Sequence, residues 1–303
     1  MQPPDDFNPV IGAPEPLVPG LRRIVAPNPS PMTYRGTNTY LLGTSEIAVI
    51  DPGPQSAAHL DAILGALEPG QKITHIIVTH AHLDHSPLAG ALQKATSAET
   101  YAFGPAHAGR SEIMQTLART GLVGGGEGID IDFAPDVEVK DGDVIHAADW
   151  QLDVIHTPGH IGNHICLGWN DHCFTADHVM GWASSLVSPP DGDLTDFMAS
   201  CARLQMRRWQ AFFPGHGEMI SNPKARLAWL IAHRKSREAA ILEALQGGDA
   251  DAHSLARTIY TDTTDRLMNA AARNVLAHLI DLKEKGSVEV IGKLSAEALF
   301  RLK

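Results

Sequence analysis

The sequence predicts an α/β fold followed by a small helical module, and three observations carry that expectation. Short apolar runs rich in β-branched residues alternate with helical stretches over the first two thirds of the chain. From Asn222-Pro223 onward the pattern turns helical and ends in a short glycine-bounded wing. Metal-capable side chains stand just past the strand-like runs, where open α/β architectures place their chemistry.

Residues 1–20 carry Pro3, Pro4, Pro9, Pro14, Pro16 and Pro19. They read as an extended arm laid along the surface or left mobile. Strands are expected over Thr39–Leu42, Ile47–Ile50, Ile73–Val78, Glu99–Phe103, Leu152–His156, Ile165–Gly168 and Cys173–Ala176, with a further strand-like run at Ala211–Phe213. Asp51-Pro52-Gly53-Pro54 ends one strand in a turn, and His59–Leu67 then reads as a helix. Ser86-Pro87 begins another helix, and Asp196–Met206 forms a third. Gly121–Gly128 lacks both a preceding strand and a Lys-Ser/Thr ending, so it reads as a flexible loop and not a phosphate cradle.

This divides the chain into a catalytic domain over 1–222 and a second domain over 223–303. In the second, Ala225–Leu245, Ser254–Tyr260 and Asp265–Lys285 read as helices, the last with Leu267, Ala271, Val275, Leu279 and Leu282 on one face. Gly286–Gly292 reads as the wing. Packing or homodimer formation is its expected role. Docking of nucleic acid through Arg257, Arg266, Arg273, Lys283, Lys285 or Lys293 is the alternative, but Asp262, Asp265, Asp281, Glu284 and Glu289 leave no clean basic stripe.

Net charge is −11, and the whole acidic excess lies in the first 222 residues, which would repel a polyanion at long range. Three scattered cysteines with no C-x-x-C pair suggest a reducing, cytoplasmic setting without disulfides. There is no long apolar run to span a membrane and no secretory leader pattern at the N-terminus.

Chemistry concentrates in Thr79-His80-Ala81-His82-Leu83-Asp84-His85, four metal-capable side chains at the corner after an apolar strand. His160 follows Thr157-Pro158-Gly159, Asp177 ends the Cys173–Ala176 strand, and His216 lies between Gly215 and Gly217. Five imidazoles and two carboxylates form a nitrogen and oxygen donor set. It suits zinc and also accommodates manganese or iron, since no thiolate biases the choice.

These motifs resemble the metallo-β-lactamase superfamily, whose hallmark is H-x-H-x-D-H with later His, Asp and His ligands. The segments at 31–43, 137–143 and 233–238 resemble the branch that carries a C-terminal winged-helix domain, the lactamase-β-like and glyoxalase II-like proteins. The resemblance implies a four-layer αβ/βα sandwich. It implies that His80, His82 and His160 hold one divalent ion, that Asp84, His85 and His216 hold a second, and that Asp177 bridges them. Asp84 and Asp177 would be the catalytic carboxylates, and a metal-bridging hydroxide the nucleophile. In this chain Ala176 stands where the family usually has glycine, and Pro87 where glycine is frequent. Cys166, Cys173 and Cys201 fall at none of the ligand positions, which argues against β-lactam hydrolysis as the natural role.

The functional expectation is therefore a dinuclear hydrolase. It leans to short single-stranded RNA, with a small ester, thioester or lactone as the alternative, and a non-hydrolytic iron oxidoreductase as the reading from another class. His178, Trp182 and Asn38 are candidate pocket residues: His178 as a catalytic or structural histidine, Trp182 as a stacking surface, Asn38 as a side chain fixing a loop under the site. His164 is a further candidate substrate contact, and His75 and His156 are expected to be core or surface residues.

Overall fold

The computed structural model describes residues 6–125, 128–261 and 263–303. Gly126 and Glu127 of the glycine-rich segment, Asp262, and Asp5 with the first prolines of the arm lie outside the described residues. The first sheet orders β1 (Glu15–Val18), β2 (Leu21–Val25), β3 (Asn38–Leu42), β4 (Glu46–Ile50), β5 (Lys72–Ile77), β6 (Glu99–Ala102) and β7 (Val137–Glu138) side by side. Pairing is antiparallel up to β4 and parallel from β4 to β7. The second sheet runs β8 (Val144–His146), β9 (Gln151–His156), β10 (Ile165–Trp169), β11 (His172–Ala176) and β12 (Ala211–Pro214), with only β11–β12 parallel.

Strand alternation produces the layering. In β3 and β4, Tyr40, Leu42, Ala48 and Ile50 face a core shared with Leu152, Val154, Ile165, Leu167, Phe174 and Phe213 of the second sheet. Their neighbours Leu41, Ile47 and Val49 face the other way, onto Ile63 of α1 (Ala57–Gly65) and Leu92 of α2 (Ala89–Thr96). Behind the second sheet, Cys166, Cys173 and Phe212 pack on Phe197, Cys201 and Leu204 of α4 (Leu194–Gln205) and on Leu227 and Leu230 of α5 (Pro223–Leu245). The layers are helix, sheet, sheet, helix.

A separate core joins Met114 and Leu117 of α3 (Glu112–Arg119), Ile241 and Leu245 of α5, Leu255 of α6 (Ala252–Ile259), Val275 and Leu279 of α7 (Asp265–Glu284), and Val288 and Phe300 of the wing. The first half of α5 thus serves the sandwich and its second half serves the C-terminal core. Asn222 caps α5 by accepting from the Ala225 amide at 3.1 Å, with Pro223 in the first turn where its missing N–H costs nothing.

Of the two readings of the arm, laid along the surface or mobile, residues 6–18 follow the first: Phe7 is buried against Tyr34, and β1 forms the edge of the first sheet, a place that tolerates Pro16. Other expectations need correcting. The wing is longer than Gly286–Gly292. Its first strand, β13 (Val288–Ile291), pairs with β14 (Leu299–Leu302) beyond a seven-residue connection. The helix expected over His59–Leu67 starts at Ala57, capped by Ser56, and ends at Gly65. No helix among the described residues is long and apolar enough to cross a membrane.

Candidate metal centre

The parallel pairing of β4 with β5 and of β11 with β12 brings their C-terminal ends to one edge of the sandwich, and the seven expected donors meet there. One four-residue group consists of His80, His82, His160 and Asp177, and a second of Asp84, His85, Asp177 and His216; a smaller third joins Asp51, His80 and His85, with donor atoms within 4.8 Å in each. His80 Nε2 lies 3.1 Å from His82 Nδ1, which lies 3.0 Å from His160 Nε2. Three nitrogens bound to one tetrahedral ion at 2.0–2.1 Å stand about 3.3 Å apart, so this spacing is that of ligands converging on a common point. In the second group His85 Nε2 lies 3.4 Å from Asp84 and 3.5 Å from Asp177 Oδ1, and His216 Nε2 lies 3.2 Å from Asp84 and 3.3 Å from Asp177 Oδ2. Asp177 Oδ2 is also 3.6 Å from His160 Nε2, so this carboxylate belongs to both groups.

The donors are buried, yet Asp84 Oδ1, His85 Nε2 and Asp177 Oδ1 have no hydrogen-bond partner. Buried polar atoms are almost always satisfied, and orphans that converge on one spot fit a cation. The electrostatics agree. Burial would lower the His85 pKa, but Asp84, Asp51 and Asp177 outweigh it and hold the imidazole well above its ordinary range. Burial likewise opposes protonation of His216, and Asp177 with Asp84 pushes it up to about 10. His82 is pushed down to about 3 by burial and by the neighbouring His160. The Asp84–His85–His216 side thus attracts positive charge, and the His80–His82–His160 side presents neutral lone pairs. That fits two divalent cations held by nitrogen and oxygen.

Each of four ligand rings is aimed by an acceptor on its far nitrogen, the arrangement that fixes tautomer and orientation in metal sites. His160 Nδ1 donates to the Leu186 carbonyl at 2.7 Å and His216 Nδ1 to the Gly36 carbonyl at 3.2 Å. His80 Nδ1 meets Thr79 Oγ1 at 3.0 Å, and His85 Nδ1 meets Asp51 Oδ2 at 2.9 Å. Asp51 also accepts from the Thr79 amide and hydroxyl, both at 2.8 Å, which ties the end of β4 to the motif after β5. The sequence showed Asp51 only as part of a turn. Its φ of 51° lies in the left-handed region, which aspartate tolerates better than most residues.

Two glycines are required by close approach. A Cβ on Gly215 would stand 2.3 Å from Asp177 Oδ1 and 2.8 Å from His85 Cε1. A Cβ on Gly159 would stand 2.3–2.4 Å from the Phe197 backbone, where the loop carrying His160 presses on α4. Ala176, in the usual glycine position, takes φ 40° immediately before Asp177 and stores strain there.

The remaining candidates are placed as follows. Asn38 donates from Nδ2 to the Pro214 and Gly217 carbonyls, each at 2.9 Å, and so fixes the loop that carries His216. His178 does not line the site. Its ring packs on Phe197 at 4.4 Å and its Nε2 lies 3.4 Å from Cys201 Sγ, because the side chain after Asp177 points to the α4 side of the strand. His164 is buried behind His80, bonded to Thr157 Oγ1 at 2.9 Å, with no face left for substrate. Trp182 is 8% exposed, stacked on Tyr34 at 5.2 Å and pressed against Gly217, so it buttresses the His216 loop and offers no free stacking face. His75 is half-buried beside Trp150 and Tyr101, and His156 is stacked on Phe103.

Sequence reasoning missed the arginines that hold the segment after Asp177. Arg226 of α5 donates to the Met180 and Ala183 carbonyls, both at 2.6 Å. Arg234, fully buried, donates to the Ser185 carbonyl and, at 2.9 Å, to Asn274 Oδ1 of α7, which in turn accepts from the Val187 amide at 3.0 Å. These bonds flank Leu186, the acceptor for His160. Arg273, a candidate nucleic-acid contact under the alternative role of the second domain, donates to the carbonyls of Val123, Gly124 and Pro189.

A model of the metallo-beta-lactamase superfamily matches residues 32–219, and one of the beta-lactamase associated winged helix domain matches residues 252–296. A beta-lactamase-like protein 2 homolog of Drosophila melanogaster is 29% identical over 282 residues, covering 88% of this chain and 89% of its own length. An atrochrysone carboxyl ACP thioesterase of Aspergillus fumigatus is 29% identical over 238 residues, covering 76% of this chain and 66% of that protein. Among solved structures, a beta-lactamase domain protein from Burkholderia ambifaria superposes with a TM-score of 0.81 at 20% identity, covering 100% of this chain and 97% of its own. A metallo-beta-lactamase family protein from Thermus thermophilus gives 0.75 at 24% identity over 95% and 100%. These two likenesses speak for the fold alone. The match over most of the sandwich, with the full donor set assembled at one edge, assigns this chain to the metallo-beta-lactamase superfamily.

Proposed function

We propose that this protein is a hydrolase working with two divalent cations, most simply zinc. The observation that carries the reading is the pair of four-residue donor groups sharing Asp177, with orphaned carboxylate and imidazole atoms between them. His80, His82 and His160 would hold one ion, Asp84, His85 and His216 the other, and Asp177 both. Two such ions lower the pKa of water toward neutrality and polarise the bond it attacks. The chain's own contribution is rigidity: Asp51, Thr79, Leu186 and Gly36 hold the rings in the neutral tautomers that ligation needs.

Of the substrate classes, an ester or thioester of a small acyl group takes precedence over single-stranded RNA. RNA binding draws on free cations and exposed aromatic faces. Here Arg273 is occupied by backbone carbonyls, Trp182 is covered by Tyr34, and net charge is −11. The thioesterase named among the relatives favours the same class.

Elemental analysis of protein purified without chelators tests the metal reading. About two ions per chain are expected, with loss of both occupancy and turnover in Asp177→Ala. Iron at full occupancy together with oxygen consumption would move the protein to the oxidoreductase class. Less than one ion per folded chain would end the dinuclear reading.

A further inference from the structure

A cleft of about 800 Å³ lies between the sandwich and the C-terminal module, within the size range of small-molecule sites. Its walls on the sandwich side belong to the two backbone segments that aim metal-centre histidines. Leu186 lines it, and its carbonyl accepts from His160. Pro31 and Met32 line it, at the start of the turn that reaches Gly36, the acceptor for His216. The opposite wall is one face of α7, with Leu267, Ala270 and Leu276. The donors themselves do not line the cleft; what it shares with the centre is the Leu186 carbonyl, 2.7 Å from His160 Nδ1.

The lining is chemically specific in what it omits. Among the described residues it contains no Phe, Tyr or Trp, and His253 is its one aromatic ring. Its described lining holds two arginines, Arg266 and Arg273, and two carboxylates, Asp251 and Glu297. Arg273 is already bonded to carbonyls, and Asp251 caps α6 by accepting from the Ser254 amide at 2.7 Å. An aliphatic floor with equal numbers of arginines and carboxylates at its rim, bordered by the segments that aim His160 and His216, suits an uncharged hydrocarbon chain.

We propose that this cleft holds the aliphatic acyl chain of an ester or thioester whose carbonyl lies at the metal centre, with α7 of the C-terminal module setting chain-length preference. The assignment rests on the hydrolase reading only for the cleavage step. There the oxygen of water bonds to the acyl carbon, the C–S or C–O bond breaks, and the leaving thiol or alcohol takes a proton from that water.

Binding and turnover are tested separately. Uncleavable S-alkyl thioethers of N-acetylcysteamine, from butyl to dodecyl, are titrated calorimetrically into the protein as isolated. Affinity should rise by about fourfold per methylene until the cleft is filled. Ala270→Trp should weaken the longest analogue at least tenfold and leave the butyl compound unchanged. Leu267→Gln replaces it if the tryptophan variant does not fold. Matched acyl thioesters are then assayed for hydrolysis. Chain-dependent binding without turnover keeps the cleft and removes the hydrolase reading. Turnover that ignores chain length and both variants keeps the hydrolase and overturns the cleft. Labelled single-stranded RNA that displaces the analogues and is cleaved would overturn the acyl assignment in favour of RNA.

Discussion

Replacing Asp51 by asparagine tests how the centre is built, because it changes one proton and almost no volume. Asp51 takes left-handed backbone with φ 51°, which asparagine also tolerates, so the turn should survive. One side-chain oxygen must stay with the Thr79 amide at 2.8 Å, since a backbone N–H cannot reverse its polarity. The new NH2 group then faces Thr79 Oγ1 and His85 Nδ1, where the carboxylate accepts at 2.8 and 2.9 Å. His85 answers by moving its proton to Nε2, the atom aimed between Asp84 and Asp177, and the ring can no longer ligate. Loss of such an outer partner typically weakens metal binding 10–100-fold, about 1.4–2.7 kcal/mol. The assay is competition with a chromophoric chelator, resolving the two binding steps. The weaker step should shift by that factor while the His80–His82–His160 step moves less than threefold. Equal losses in both steps, or none in either, would refute the account of Asp51 as the residue that orients His85.

Other consequences are sharper still. Gly215→Ala, whose Cβ would lie 2.3 Å from Asp177 Oδ1, should lose more than 100-fold in activity and one bound ion while the far-UV dichroism stays unchanged. Ala176→Gly relieves the left-handed φ of 40° and should raise the urea unfolding free energy by about 0.5–1 kcal/mol, the strain released exceeding the added chain entropy. Acid should destabilise the protein through two histidines remote from the ligands. Burial pushes His59 down to about 4 and His278 down to about 3, so both stay neutral in the folded chain while the unfolded chain takes up protons below about 6.5. Stability then falls as pH drops from 6.5 toward 4, by about 2 kcal/mol for each at pH 5, read as a lower urea midpoint that His278→Leu partly restores. Asn274→Ala removes the acceptor shared by Arg234 and the Val187 amide, and should loosen the His80–His82–His160 ion about tenfold by chelator competition.

The ligands were legible in the sequence because their signal is local and chemically unusual: four donors within six residues, then single donors at strand ends. Strands β3–β6 and β9–β12 were legible as apolar runs, but β1, β2, β7 and β8 were not, because they are two to five residues long and carry Pro16, Arg22, Arg23, Glu138 or His146 within the run. Asp51 was not legible as an orienting group, because Asp-Pro-Gly-Pro carries an equally good turn signal and its partners lie 28 and 34 residues away. Charge was the least informative feature. The sequence offered Arg273 as a candidate nucleic-acid contact and gave Arg234 no role, yet Arg234 is buried and bonded to the segment behind the donor cluster, and Arg273 is turned onto a glycine-rich loop.

That misreading bears on what the C-terminal module is for. A winged helix attached to a metallo-beta-lactamase domain invites a separate binding role, and the sequence offered packing, dimerisation and nucleic acid in turn. The hydrogen bonds tie it to the chemistry. Arg226 and Arg234 from α5 and Asn274 from α7 hold the carbonyls and amide of Met180, Ala183, Ser185 and Val187, so the Leu186 carbonyl is fixed where His160 needs it. Burying Arg234 is offset by bonds from both terminal nitrogens, one to the Ser185 carbonyl and one to Asn274 Oδ1, while its Nε has no partner. The edge that carries the donor residues and the C-terminal helices therefore form one structural unit. Substitutions at their contact should alter metal affinity before they alter any interaction with a partner.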